Sequence, residues 1–346
     1  MGEYLSLQEK QQLMEKISSY RDAQELPAHD DLSALIDSAL TVLESESTAY
    51  RPVAQDKKPG GLLDFTGQDF SNLPVIIVPD LHARAEFLIN LLGSHIESPT
   101  VLDALNEKRV IVICVGDGVH AESRAYERWL KAYKEWEDGD SVGQSMEQEM
   151  REGISTMQGV MELKKAFPAH FHFLKGNHEN ILDTEGGGDH SFRKFAMEGE
   201  MVRDFVSEKY GDDILHLESC FEKSLPICAI TSCCGVSHAE PYTSYKRSEI
   251  INYHKNPSLI LGFTWTSNGD AEEDSVSKLF RVLNKKNKER EPLWFGGHRP
   301  VSGLYLTRQN GVYYQIHNPD EMNVALVSCD HEFNPESDIH SVKNEE

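Results

Sequence analysis

The sequence predicts a layered α/β domain, and three features carry that expectation. Short β-branched runs at LPVIIVPD (73–80), RVIVICVGDG (109–118) and HFHFLKGNHE (170–179) each end in an acidic or polar residue. Helix-like stretches follow them, AEFLINLLGSHI (85–96) among others, and alternation of buried strands with helices marks an α/β layer. Later runs at 224–240, 291–301 and 311–318 are strand-like without long helices between all of them. They call for a second sheet, and so for a sandwich of two sheets flanked by helices.

Taken in chain order, residues 1–60 form a helical extension and linker. Leu5, Leu7, Leu13, Ile17 and Tyr20, then Leu32, Leu35, Ile36, Leu40 and Leu43, recur at threes and fours, one apolar stripe per segment. Pro27 and the pair Asp30-Asp31 separate the two helices. A hairpin packed on the main domain and a partner-binding arm both fit this pattern. Residues 52–61 read as a loop before the first strand, and the main domain occupies 61–330. Within it, about 120–167 is a helix-favouring insertion. Its Trp129, Tyr133 and Trp136 share one helix face, as core packing or as a surface for stacking a base. The tail at 331–346 is polar and acidic and is expected to fray.

Composition narrows the function. A net charge of −23 repels phosphate backbones and excludes a nonspecific nucleic-acid binder. No apolar stretch approaches the roughly 20 residues that span a bilayer, and no secretory leader is recognisable. The six cysteines have no framework spacing and are expected to be free thiols, with Cys233 and Cys234 buried beside a strand. A cytoplasmic location follows as the expectation.

The chemistry lies where the strands end. The first run ends Asp80-Leu81-His82, the second Gly116-Asp117-Gly118 and the third Gly176-Asn177-His178-Glu179. Ser237-His238-Ala239 and Gly297-His298-Arg299 follow. Each is ordinary alone, since Asp-Gly and Asn-His are common turn residues. Together, five strand ends present carboxylate, amide and imidazole donors of the kind that hold divalent transition metals. Two neighbouring ions need a shared ligand, and Asp117 is the best-placed carboxylate.

The order PDLHA, GDGVHAE, GNHE, SHAE, GGHRP resembles the calcineurin-like metallophosphoesterase superfamily, in particular its phosphoprotein (Ser/Thr) phosphatase branch. The resemblance covers about 73–328, and the intact GNHE is its most specific piece. It implies a four-layer α/β/β/α sandwich with the helical extension and insertion added. It also implies two divalent transition-metal ions, manganese first, with iron or zinc as alternatives. Asp80, His82 and Asp117 would hold one ion. Asp117, Asn177, His238 and His298 would hold the other. The implied reaction is hydrolysis of a phosphate monoester, on a protein or a small molecule, by in-line attack of a metal-bridging hydroxide, with His178 protonating the leaving oxygen. Glu179 would support its loop.

This chain departs from the family pattern at four positions. Pro79 and Ala83 replace the glycines of the first motif. His120 stands where an aspartate orients the catalytic histidine, and Ala121 where an arginine holds the phosphate. Glu122 or another acid would then supply the missing charge, while Arg299, Arg84 and Arg124 are available to the phosphate, Arg299 foremost. These departures keep two other readings open: a nucleotide polyphosphate hydrolase and a metal-binding scaffold with weak turnover.

Overall fold

The computed structural model of the chain describes residues 4–285 and 289–343. Helices α1 (Leu7–Asp22) and α2 (His29–Glu44) lead into strand β1 (Leu62–Asp64). Then follow β2 (Val75–Val78), α3 (Ala85–Gly93), α4 (Val101–Asn106), β3 (Ile111–Cys114), α5 (Tyr126–Glu137), α6 (Gln144–Ala166) and β4 (Phe171–Phe173). After α7 (Glu198–Tyr210) and α8 (Asp212–Ser224) come β5 (Cys228–Ile230), β6 (Gly235–Ser237), α9 (Arg247–Ile251), α10 (Pro257–Thr264) and α11 (Ser275–Leu283). The chain closes with β7 (Trp294–Gly296), β8 (Leu306–Arg308), β9 (Tyr313–Gln315), β10 (Asn323–Val327), α12 (Pro335–Asp338) and β11 (Ile339–Ser341).

The strands form a six-stranded sheet, β1-β5-β6-β7-β9-β8, and a five-stranded sheet, β11-β10-β2-β3-β4. Side chains alternate across a strand, so each strand feeds two layers. Val75, Ile77, Ile111 and Ile113 meet Leu63, Ala229, Val236 and Phe295 of the other sheet in one buried cluster. Their neighbours Ile76, Val78, Val112 and Cys114 turn outward beneath the larger helical layer. On the far side, Leu62, Ile230 and Trp294 pack under α9–α11. The result is the four-layer α/β/β/α sandwich. β2, β3 and β4 run parallel, as do β6, β7 and β9, so their C-terminal ends share one edge of the molecule.

The N-terminal helices pack on this body, α1 against α3 and α6, and α2 against α6 and α8. Ser6 and Glu9 close a capping box on α1, and Asp30 and Asp31 lie in the first turn of α2, where the helix dipole favours them. The insertion joins the same layer: Trp129 is fully buried, and Trp136 Nε1 donates to Asp204 Oδ2 at 3.0 Å. Tyr133 and Trp136 pack partly buried against the same core, as the core-packing reading expects.

Two expectations are corrected. The tail does not fray through its described length, because β11 pairs antiparallel with β10; residues 344–346 lie outside the described residues. Nor are all six cysteines free: Cys233 and Cys329, 96 positions apart, are joined with Cα atoms 5.4 Å apart, while Cys114, Cys220, Cys228 and Cys234 stay unpaired. The β5–β6 turn and the segment after β10 meet only in the folded sandwich, which sequence spacing cannot show. Among the described residues, no helix is long and apolar enough to cross a membrane.

A buried ion cluster ties three layers of chain together. Glu46, just beyond α2, bonds the Arg51 guanidinium and the Lys164 ammonium, and lies 3.4 Å from His172 Nδ1. Burial pushes the Glu46 carboxyl up, but Lys164 and Arg51 overcome it and hold it well below the ordinary range. Its stabilisation is therefore present above the unfolded-state value and fades as pH falls into the acid range. Glu46→Gln strands two buried cations and is expected to remove about 3–5 kcal/mol in urea unfolding at neutral pH. A loss under about 1 kcal/mol would show that the cluster contributes little.

Candidate metal centre

The shared sheet edge brings the sequence-predicted donors together. Asp80 follows β2, Asp117 follows β3 and Asn177 follows β4, while His238 and His298 follow β6 and β7. The loops that turn them inward are tight. His82, Ala83, Asp117, His120 and His298 all have left-handed backbones, with φ between 43° and 73°. Such conformations disfavour residues with a Cβ, and their gathering at one edge marks a site held in place by its surroundings. Ala83 therefore occupies, with φ 58°, a position where glycine would be unstrained. Gly297 meets a different constraint: an added Cβ would lie 2.1 Å from Asp80 Oδ1.

Asp117 is the hub. Its Oδ2 lies 3.7 Å from His82 Nε2, 3.7 Å from His178 Nε2 and 3.6 Å from His238 Nε2. Its Oδ1 accepts the His178 backbone N–H at 3.0 Å. Asp80 accepts the His298 N–H at 2.9 Å and lies 3.5 Å from His238 Nδ1. On the other side, Asn177 Oδ1 is 2.8 Å from His238 Nε2 and 2.9 Å from His298 Nδ1, with those two nitrogens 3.2 Å apart. Glu179 accepts the N–H groups of Asp117, Gly118 and Gly176 at 2.6–2.9 Å, which locks the second loop to the third.

Electrostatics favour a cation here. Burial, with the charges of Asp80 and Glu179, drives the Asp117 carboxyl well above its ordinary range. Burial also lowers His82 to about 3 and His238 to about 4, and holds His178 and His298 well below neutrality. Neutral imidazoles, an amide oxygen and crowded carboxylates form a donor set that a divalent ion satisfies and protons do not.

His120 lies beside this cluster. Its ring sits 4.8 Å from that of His178 and stacks on Trp129 at 4.8 Å, and neither nitrogen has a hydrogen-bond partner among the described residues. Glu198, at the start of α7, stands 3.7 Å behind it. His178 in turn stacks on Phe192 at 4.3 Å.

The three arginines separate. Arg299 is exposed beside His298 and donates to Ser267 Oγ at 2.6 Å. Arg84 is buried and donates to Glu122 Oε2 at 3.2 Å. Arg124 donates to Glu152 and to the carbonyls of His82 and Ala83. Two residues at the site escaped the sequence reading. Glu198 gave no signal, lying 78 positions beyond its partner. His317 did give one, since it ends a strand-like run as the other donors do. Its Nδ1 is 3.8 Å from Asp80 Oδ2 and its Nε2 is 3.1 Å from Glu122 Oε2.

The calcineurin-like phosphoesterase family profile matches residues 73–329, which spans every one of these loops. The chain belongs to this family. No curated relative matches it. Among solved structures, it is similar to a protein serine/threonine phosphatase from Saccharomyces cerevisiae with similarity to human phosphatase PP5. That likeness has 14% identity, a TM-score of 0.57 and coverage of 96% of each chain. A cold-active protein-tyrosine phosphatase of Shewanella is more distant, at 13% identity and TM-score 0.43, covering 86% of this chain and 85% of that one. At 14% identity the likeness to the yeast phosphatase establishes the fold alone; the hydrolase class comes from the family.

Gly297→Ala is expected to displace the Asp80 carboxylate and weaken binding of added manganese by about tenfold or more, with an unchanged circular dichroism spectrum. Unaltered manganese affinity in a calorimetric titration would mean that the loop yields to the extra methyl.

Proposed function

We propose that this phosphoesterase hydrolyses phosphate monoesters with two divalent metal ions, held by the cluster around Asp117. The observation that carries this reading is the position of Asp117 Oδ2, within 3.7 Å of nitrogens from His82, His178 and His238. Asp80 and His82 on one side, and Asn177, His238 and His298 on the other, complete two donor groups that share this carboxylate. Their mixture of oxygen and imidazole accepts manganese, iron or zinc, with manganese the first choice. Bound there, the ions would supply Lewis acidity to the phosphoryl oxygens and lower the pKa of water.

The chain's own residues do the rest. His178 Nε2 lies 3.7 Å from Asp117 Oδ2, and as a neutral imidazole it would offer its N–H to the leaving oxygen as charge develops there. Phe192 fixes its ring plane from one side, and His120 lies on another. Glu198 supplies behind His120 the negative charge that His120 itself lacks, which makes it a positioning residue. Arg299, exposed next to His298, offers a guanidinium to the phosphate. Arg84 is bound to Glu122, and Arg124 braces the first loop from outside.

A nucleotide polyphosphate substrate has one observation in its favour. A cavity of about 570 Å³ lined by His190, Tyr242, Tyr245, Leu261 and Trp265 adjoins the centre, with the Trp265 ring 6.4 Å from that of His298. Such walls suit a flat ring on the leaving group.

Hydrolysis of p-nitrophenyl phosphate by metal-stripped protein reloaded with manganese, iron or zinc tests the main reading. Turnover should require metal and fall by about 10²–10⁴ in both Asp117→Asn and His178→Ala. Absence of turnover with every metal, despite two bound ions, would reject the monoesterase reading and direct assays to dinucleotide polyphosphates.

A further inference from the structure

Resting on the two-metal reading, we infer that His317 is a fourth side-chain ligand of the first metal, bound through Nδ1 and oriented by Glu122. The inference starts from register. β7 and β9 are parallel neighbours in which Gly296 pairs with Gln315. His298 lies two residues past Gly296, and His317 two residues past Gln315. Equal offsets on adjacent parallel strands deliver two imidazoles side by side to the same edge, His298 toward Asn177 and His317 toward Asp80.

The local chemistry agrees. His317 is 1% exposed, and its Nδ1 has no hydrogen-bond partner among the described residues. One donor atom each from Asp80, His82 and His317 lies within 4.8 Å of the others. The separations of Asp80 Oδ2 from His317 Nδ1 (3.8 Å) and His82 Nε2 (3.9 Å) suit atoms sharing one ion at bonds of roughly 2.0–2.2 Å. Nε2 faces Glu122 Oε2 at 3.1 Å, so Nε2–H donates to the carboxylate and the Nδ1 lone pair is left for the metal.

Glu122 is the rival ligand, since its Oε1 lies 3.5 Å from His82 Nε2. Its two oxygens already face Arg84, Lys194 and His317, whereas His317 Nδ1 has no hydrogen-bond partner among the described residues and lies 3.8 Å from Asp80 Oδ2. The second rival is a doubly protonated His317 held as a cation between Asp80 and Glu122, in place of a ligand. With His317 bound, each metal has four side-chain donors, Asp117 counted for both.

The test is metal binding by the full chain, read by calorimetric titration with Mn²⁺ and by X-ray absorption of the Zn²⁺-loaded protein. Wild type should bind two ions, with an absorption spectrum that counts His317 among the imidazoles. His317→Gln should keep one tight ion, weaken the other by about 10–100-fold or more and lose one imidazole from the spectrum. Glu122→Gln should weaken the same ion while keeping the imidazole count. Two tight ions and an unchanged count in His317→Gln would overturn the inference and leave Glu122 or the cationic histidine in its place. A wild type that binds no ions would reject the two-metal reading itself, a result distinct from that one.

Discussion

Everything at the sheet edge answers to one constraint, the burial of several carboxylates within a few ångströms of one another. Asp80, Asp117, Glu122 and Glu179 are each at most 3% exposed. Like charges in a low-dielectric interior repel strongly, and such groups are tolerated only when donors or cations surround them. The chain supplies backbone N–H groups to Asp80, Asp117 and Glu179, and Arg84 and Lys194 to Glu122. Among the described residues these contacts bring Asp117 no cation, and burial with the charges of Asp80 and Glu179 pushes its carboxyl well up. The left-handed loops and the close glycine contacts follow from the same crowding, because backbone must approach each carboxylate closely enough to donate.

The sandwich makes this crowding sustainable. The cluster between the sheets buries Val75, Ile77, Ile111, Ile113, Val236 and Phe295 directly behind the strands whose ends carry the donors. Strands fixed on both faces cannot shift register without moving apolar side chains to the wrong layer. The positions of Asp80, Asp117, His238 and His298 are thus set by packing several residues upstream, and the polar centre inherits its rigidity from an apolar one.

That division explains what could be read in the sequence. The layers were legible because apolar β-branched runs and helical stripes are local patterns, and the donors were legible because each directly follows such a run. The N-terminal stripes, likewise, could only end as packed faces or as an arm, and they are packed. The disulfide between Cys233 and Cys329 was not legible, because only the closed sandwich brings those segments together. The same holds for Glu198: α7 carries it back beneath His120 from a separate stretch of chain. The tail misled through composition, since polar residues say little about an edge strand whose backbone does the pairing. His317 was within reach, because the strand-end rule applied to GVYYQIHN as well as to the runs it was used on. A missing glycine-histidine motif hid it.

The departures in the second motif acquire a common form in three dimensions. Where the family pattern puts a carboxylate beside the catalytic histidine, this chain puts His120 with Glu198 3.7 Å behind it. Beside the first donor group it puts His317 with Glu122 behind it at 3.1 Å. At His120 the imidazole stands toward the centre with its glutamate farther out, whereas Glu122 also faces the centre, with Oε1 3.5 Å from His82 Nε2. Glu122, within hydrogen-bond reach of His317 Nε2, can set that ring's tautomer, while Glu198 at 3.7 Å places negative charge behind His120 without a hydrogen bond. For a phosphoesterase of net charge −23, keeping Glu198 back from the centre has a physical benefit. Long-range repulsion from the surface is screened beyond about 8 Å at physiological ionic strength, so the charges that decide substrate binding are the few within the pocket. Placing Glu198 behind His120 keeps one carboxylate out of the centre, just where the family's phosphate-holding arginine is replaced by Ala121.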